Sequence, residues 1–270
     1  MVLQAHAVSQ MFMPMDHEFH APSLEDFFPP SFAFVGTPFE INRLMLVRLI
    51  VLVVFTIMFT LYVRRAKLVP GRAQATLEFL LDFVKTNVSE QMLGRTMATK
   101  YNGVVAIVFF TALFMNLAGI VPGLNIAGTA VAGLPLVMAL FSYIAFVYAG
   151  IREQGFGKYF KASLFPAGVP WYMYFLLTPI EAFSTFVSRP FSLFIRLLAN
   201  MIAGHFLLAL CLASTNFFIL YVAGPMKALG ALTFISAIFM TLFEMLVAFL
   251  QAYIFAMLTA AYIDLSVHSH

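Results

Sequence analysis

Charged and amide or imidazole side chains stand in otherwise apolar sequence in the last third of the chain, among them Glu181, Arg189, Arg196, Asn200, His205, Lys227, Glu244 and Gln251. Their types define the available chemistry. Glu and His exchange protons near neutral pH when burial or neighbours shift them. Asn and Gln donate and accept hydrogen bonds, and Arg holds its proton permanently. Together they can conduct protons past a fixed cation, which acts as an electrostatic gate rather than a carrier. Asn200 lies one helical turn after Arg196, on the same face. Arg189 lies two turns before Arg196, on nearly that face. His205 follows Arg196 by nine residues, half a revolution, so one straight helix turns the two to opposite sides. Glu244 and Gln251 are seven apart and share a face. Spacing alone leaves other readings open. Arg196 could be a structural partner of Glu244, and Glu181 a local cap. His205 could be a hydrogen-bonded interior residue, and Asn200 and Gln251 glue between helices.

Only 10% of the 270 residues are charged and 62% are hydrophobic, with a mean hydropathy of +0.94. Soluble domains carry about 25% charged residues. A soluble enzyme of this size could not hide so much apolar surface, so the chain is a polytopic membrane protein. A net charge of +3 is too small to point to nucleic acid, and one Cys cannot form an internal disulfide. No phosphate-binding loop appears. His6, His17 and His20 form a loose group that reads as a solvated tail rather than a metal site.

The elements that must position these groups are legible from charge placement. Residues 1–42 carry five acidic side chains and no basic one, and form a polar, proline-punctuated leader. Residues 43–270 read as a single transmembrane helical domain. Residues 44–63 form a first span; Arg48 interrupts it near its start and can snorkel to the interface. Residues 72–93 repeat apolar side chains (Leu77, Leu80, Leu81, Val84, Val88, Met92) at three-to-four spacing. They form an amphipathic helix for the membrane surface or a partner, stopped at Gly94. Two further spans cover about 101–121 and 131–150. Two very long apolar segments follow, about 171–212 and 226–264. Each would reach about 60 Å as one helix, twice the bilayer core, and must be broken or strongly tilted. The expected fold is therefore all-α, with about five membrane helices and one interfacial helix. Lys and Arg cluster at 64–72, 85–100 and 151–161, which puts these regions and the C-terminus inside and the acidic N-terminus outside.

The stretch SRPFSLFIRLLANMIAGH, residues 188–205, resembles subunit a of F-type ATP synthases. FEMLVAFLQAYIFAMLTAAYIDLS, residues 243–266, is similar to that family's last helix, and FMNLAGIVPG, residues 114–123, also fits. The resemblance implies a membrane stator that faces a rotating c-ring through two long tilted helices. It implies two aqueous half-channels and a coupling of proton flow to rotation and ATP synthesis. It places the essential stator charge on Arg196 and the proton pathway on Glu181, Asn200, His205, Glu244 and Gln251. Gln251 would face Arg196 from the neighbouring helix. One departure stands out: many bacterial members carry Glu after the Gly and His on the last helix, whereas here His205 follows Gly204 and Glu244 sits on the last helix. The exchange keeps one acid and one imidazole in the same neighbourhood and favours a coupled pair. The resemblance further implies the c-ring, subunit b of the peripheral stalk and the other synthase subunits as partners, with no cofactor. The chain would hold no catalytic site of its own and would lie in a bacterial plasma membrane rather than the mitochondrial inner membrane.

Three other classes make different demands. A self-contained transporter calls for an internal repeat, and none is visible. A haem-bearing redox subunit calls for axial histidines, and only His205 lies in the hydrophobic body. A passive scaffold requires that Arg196 be replaceable by a neutral residue without loss.

Overall fold

The computed structural model describes residues 42–67, 69–121, 129, 131–165, 170–222 and 224–268. The acidic leader expected over 1–42, with its three histidines, falls outside the described residues apart from Asn42. Helices are α1 (Arg43–Arg65), α2 (Arg72–Val84), α3 (Glu90–Leu117), α4 (Gly133–Gln154), α5 (Phe156–Leu164), α6 (Tyr174–Phe183), α7 (Arg189–Leu220) and α8 (Ala228–Val267). Five helical units have the length and apolarity to cross a membrane, and the last two run 47 and 44 residues. At 1.5 Å per residue these reach roughly 70 and 65 Å, about twice the hydrocarbon core.

Asn42 caps α1 by accepting a hydrogen bond from the Met45 backbone N–H at 2.8 Å. The helix leans on α3 through Phe55 with Phe114 and Phe59 with Phe110, ring centroids 5.6 and 5.3 Å apart. Most of its apolar side chains, among them Leu49, Leu52 and Val54, stay on the outside. Outward hydrocarbon is the natural state of a helix solvated by lipid. Arg48 does more than reach the interface: its Nη2 donates to the Val131 carbonyl at 3.1 Å, tying α1 to the connection before α4.

The amphipathic segment finds its partner within the chain. Leu77, Val84, Val88 and Leu93 are buried. Phe83 meets Phe109 of α3 and both Phe249 and Tyr253 of α8. A π-helical turn, Lys85–Ser89, continues α2. The stop expected at Gly94 is real: φ is 70° and ψ 161°, a backbone state that favours glycine. The break folds α3 back, and Ser89 Oγ donates to Asn102 Oδ1 at 2.8 Å across it. The helix that follows this break ends at Leu117, short of the expected 121.

The segment expected over 171–212 is divided. A 3₁₀ turn, Trp171–Met173, leads into α6, a π turn at Ser184–Ser188 follows, and α7 then runs on to Leu220, well past the expected end. Proline explains the division. Pro190 has no N–H to donate to the preceding turn, and a π turn immediately before it accommodates the unpaired carbonyl. No proline lies within α8, which runs unbroken for 40 residues. Ala248, Ala252, Ala256 and Ala260 recur every four residues and are fully buried. Their small side chains let α3, α4 and α7 approach closely, as packing in lipid requires. Thr259 of α8 donates to Ser142 of α4 at 3.0 Å inside this seam.

Gly150 of α4 is another close approach. A Cβ there would fall 2.4 Å from the ring of Tyr159, which is fully buried against it. Gly150→Ala must displace that ring, at an overpacking cost of about 1–3 kcal/mol. The expected result is a lower unfolding temperature of the detergent-solubilised protein. An unchanged unfolding temperature contradicts the packing described.

Candidate functional site

Helix α7 buries Leu193, Leu197, Met201 and His205, one residue every four along a single stripe. His205 therefore belongs to the packed face of α7. Arg196 precedes Leu197 by one residue, about 100° round the helix, and is exposed on the outside of the chain. The opposition of Arg196 and His205 expected from their nine-residue spacing is thus realised. Among the described residues Arg196 makes no hydrogen bond or ion pair, so the structural pairing of Arg196 with Glu244 does not occur.

Glu244 pairs instead with His205. It extends the alanine row of α8 by one turn, which aims it at α7, and its Oε1 meets His205 Nδ1 in a short hydrogen bond. The two residues are 2% and 6% exposed. The acid and imidazole that the sequence left as neighbours are in direct contact. Burying two ionisable groups in an apolar seam is costly unless they hydrogen-bond each other. The second carboxylate oxygen, Oε2, is buried with no hydrogen-bond partner.

Gly204 makes this contact possible. A Cβ at position 204 would lie 2.9 Å from Glu244 Oε1 and 3.2 Å from its Cγ. Gly204→Ala must therefore push the carboxylate off His205. The expected result is a lower unfolding temperature of the detergent-solubilised protein, from an overpacking cost of about 1–3 kcal/mol. An unchanged unfolding temperature contradicts the contact described.

Two turns along α8 from Glu244, Gln251 is 2% exposed. Its Oε1 accepts from Asn200 Nδ2 at 2.8 Å, bridging the helices on the Arg196 side of the seam. Gln251 Nε2 is buried without a partner. The expected facing of Gln251 and Arg196 thus takes an indirect form, with Asn200, one turn from Arg196, as the residue in contact with Gln251.

Glu181 does not join this group. It lies on α6, beside a separate cavity of about 260 Å³ whose walls include Thr185, Arg189 and Asp264. Arg189, despite sharing a nominal face with Arg196, sits over the ring of Tyr262 on α8, 5.5 Å from its centroid. It is drawn inward at the start of α7, just after the π turn.

Sequence reasoning missed three polar features. Thr129 donates to Asn116 Oδ1 at 2.6 Å, and both are fully buried. Leu117 and Ile120, close to Asn116, pack on Met201 and Ala248, one turn from both His205 and Glu244. Asn116 stands alone in an apolar run, which is the signal that could have marked it. The pairing of Asp264 with His268 is the second feature and Tyr159 the third. The pair is at a helix end, where polar residues are ordinary, and Tyr159 is one tyrosine among many aromatics.

Five membrane-length helical units, a buried acid–imidazole pair between the last two, and an arginine on the outside of the same helix define a polytopic membrane protein of the ion-transport class. The family model described as the ATP synthase A chain matches residues 44–264, and the chain belongs to that family. It is 47% identical to ATP synthase subunit a of Rhodococcus erythropolis (strain PR4 / NBRC 100887) over 93% of this chain and 92% of that one. Identity to the subunit a of a Parafrankia species (strain EAN1pec) is 36%, over 96% of this chain and 88% of the relative. For that of Streptomyces lividans it is 33%, over 93% and 89%.

Proposed function

We propose that the chain is the proton-translocating stator of a bacterial F-type ATP synthase, set against a rotating c-ring in the plasma membrane and held by subunit b of the peripheral stalk. The observation that carries this reading is Arg196. A permanent cation at the surface of an apolar, membrane-length helix costs about 2.5–3.5 kcal/mol or more if it faces lipid. It therefore calls for an external partner that offers negative charge, and a ring carboxylate supplies it.

The other groups fall on either side of that contact. The charge placement puts the N-terminus outside and the C-terminus in the cytoplasm. The His205–Glu244 pair then serves a half-channel open to the outside, and the Glu181 cavity, near the end of α8, serves one open to the cytoplasm. Protons enter one half-channel, neutralise a ring carboxylate, travel round with the ring and leave by the other. Arg196 holds the carboxylate ionised at the crossing, and an ionised group does not pass on into lipid. Asn200 and Gln251 fix the helix seam beside it. Glu244 Oε2 and Gln251 Nε2, buried without protein partners, are the kind of groups that ordered water serves. The chemistry of ATP belongs to other subunits in this reading.

Sided access tests it. In a Cys211→Ser background, Thr185→Cys should react with a small thiol reagent added on the cytoplasmic side of vesicles, and Leu208→Cys, about one turn beyond His205 on α7, with reagent on the other side. Reaction of both positions from one side contradicts two separate half-channels.

A further inference from the structure

The cavity beside Glu181 has a second titratable wall that the reading above leaves unused. Across from Glu181 and Arg189 it is closed by the last turn of α8, where Asp264 and His268 face it. His268 Nδ1 lies 2.9 Å from Asp264 Oδ1. The Asp264 side chain is 35% exposed and that of His268 54%, whereas Tyr159 on the α5 wall is fully buried. The Tyr159 hydroxyl is buried with no hydrogen-bond partner, although the ring lines this polar space. A cavity of about 260 Å³ has room for several waters. The titratable groups that face it are Tyr159 from α5, Glu181 from α6, Arg189 from α7, Asp264 from α8 and His268 just past the end of α8. Exposure increases from the buried Tyr159 through Asp264 to His268.

We infer that Asp264 and His268 form the proton-exchange dyad at the mouth of this cavity, passing protons between Glu181 and bulk solution. The inference rests on the stator reading of the chain. The hydrogen bond to Asp264 orients the imidazole with its Nδ1–H towards the carboxylate and leaves Nε2 as the acceptor. A proton on the Glu181 carboxyl passes through cavity water to Nε2. The glutamate returns to its anion, and the imidazolium formed is stabilised by the Asp264 carboxylate. Nε2 then gives the proton to water outside, so one proton has moved from Glu181 to solution and every group is as it began. Reversed flow uses the same steps in the opposite order. Arg189 is a fixed cation lining the same cavity. Tyr159 offers a hydroxyl that can hold a cavity water in line. His268 is thus a positioning and exchange group for transport, distinct from the pair at His205.

The test uses membrane vesicles carrying the assembled complex, with ATP-driven acidification followed at low and at high buffer concentration. His268→Ala should slow acidification several-fold at low buffer, and added imidazole should restore it, because a mobile base then replaces the missing side chain. Asp264→Asn should keep the complex assembled and shift the pH profile of pumping, since the imidazolium loses its counter-charge. Arg196→Ala, measured alongside, separates the two readings. If Arg196→Ala pumps normally, the stator reading falls. If Arg196→Ala is inactive while His268→Ala pumps at the wild-type rate in low buffer, the dyad is overturned and the stator reading stands. A slowed His268→Ala that imidazole fails to rescue makes the residue structural and also overturns the dyad.

Discussion

Replacing His205 by Ala is expected to stop proton pumping and to weaken the subunit, whereas exchanging His205 and Glu244 should restore both. In the native seam Glu244 is 2% exposed and its one side-chain partner is the imidazole, Oε2 having none. His205→Ala leaves a buried carboxyl with neither oxygen paired. Breaking a buried pair by removing one partner costs about 3–5 kcal/mol. With no imidazole beside it the carboxyl has no partner with which to exchange a proton, and the relay is broken. His205→Gln separates the two effects. An amide can hydrogen-bond to Glu244 but cannot take up a proton, so assembly should survive while pumping is lost. The double variant His205→Glu, Glu244→His returns one acid and one imidazole to the same contact. Gly204, whose missing Cβ leaves room for the carboxylate, leaves room for the exchanged side chain as well. ATP-driven acidification and complex yield, measured on all three variants, check this. If the exchanged variant is as inactive as His205→Ala in an assembled complex, the position of each group matters and the coupled-pair account is wrong.

The second large effect belongs to Arg196. Arg196→Ala should abolish coupled pumping while leaving assembly intact or slightly improved. The two halves of that statement come from the same physics. Arg196 is exposed and makes no hydrogen bond or ion pair among the described residues, so its removal breaks no contact within the chain. It also relieves the insertion cost of a guanidinium on a membrane helix, about 2.5–3.5 kcal/mol. What is lost is the attraction for an ionised ring carboxylate. At about 4 Å and an effective dielectric near 20 this is about 4 kcal/mol, or roughly a thousandfold in the ionisation equilibrium. Arg196→Lys retains the charge but not the planar fork of donors, and should fall between wild type and Ala. Loss of assembly in Arg196→Ala would instead make the residue a structural one.

Much of this arrangement was legible in the sequence because lipid simplifies the reading. Apolar length marks the spans, and the interruption at Gly94 and the separation of Arg196 from His205 follow from backbone preference and helical period. What escaped was set by packing. The amphipathic helix could have met lipid or protein, and only the fit of Phe83 among Phe109, Phe249 and Tyr253 decides it. The register between α7 and α8 decides that Glu244 meets His205 and not Arg196, and that Gln251 reaches Asn200. A register between helices far apart in sequence is not carried by the period of either one. The continuation of α7 to Leu220, past the expected end near 212, shows the same limit at an uncharged helix end, where composition gives no stop signal.

The central claim is that Arg196 both couples the ring and separates two half-channels. The most direct measurement compares passive proton leak through wild-type and Arg196→Ala membranes after the soluble head of the complex has been stripped, with ATP-driven acidification recorded beforehand on the same vesicles. The account predicts no acidification in the variant, and a leak preserved or enlarged. Normal acidification by Arg196→Ala would contradict it, and so would a stripped membrane that has become proton-tight.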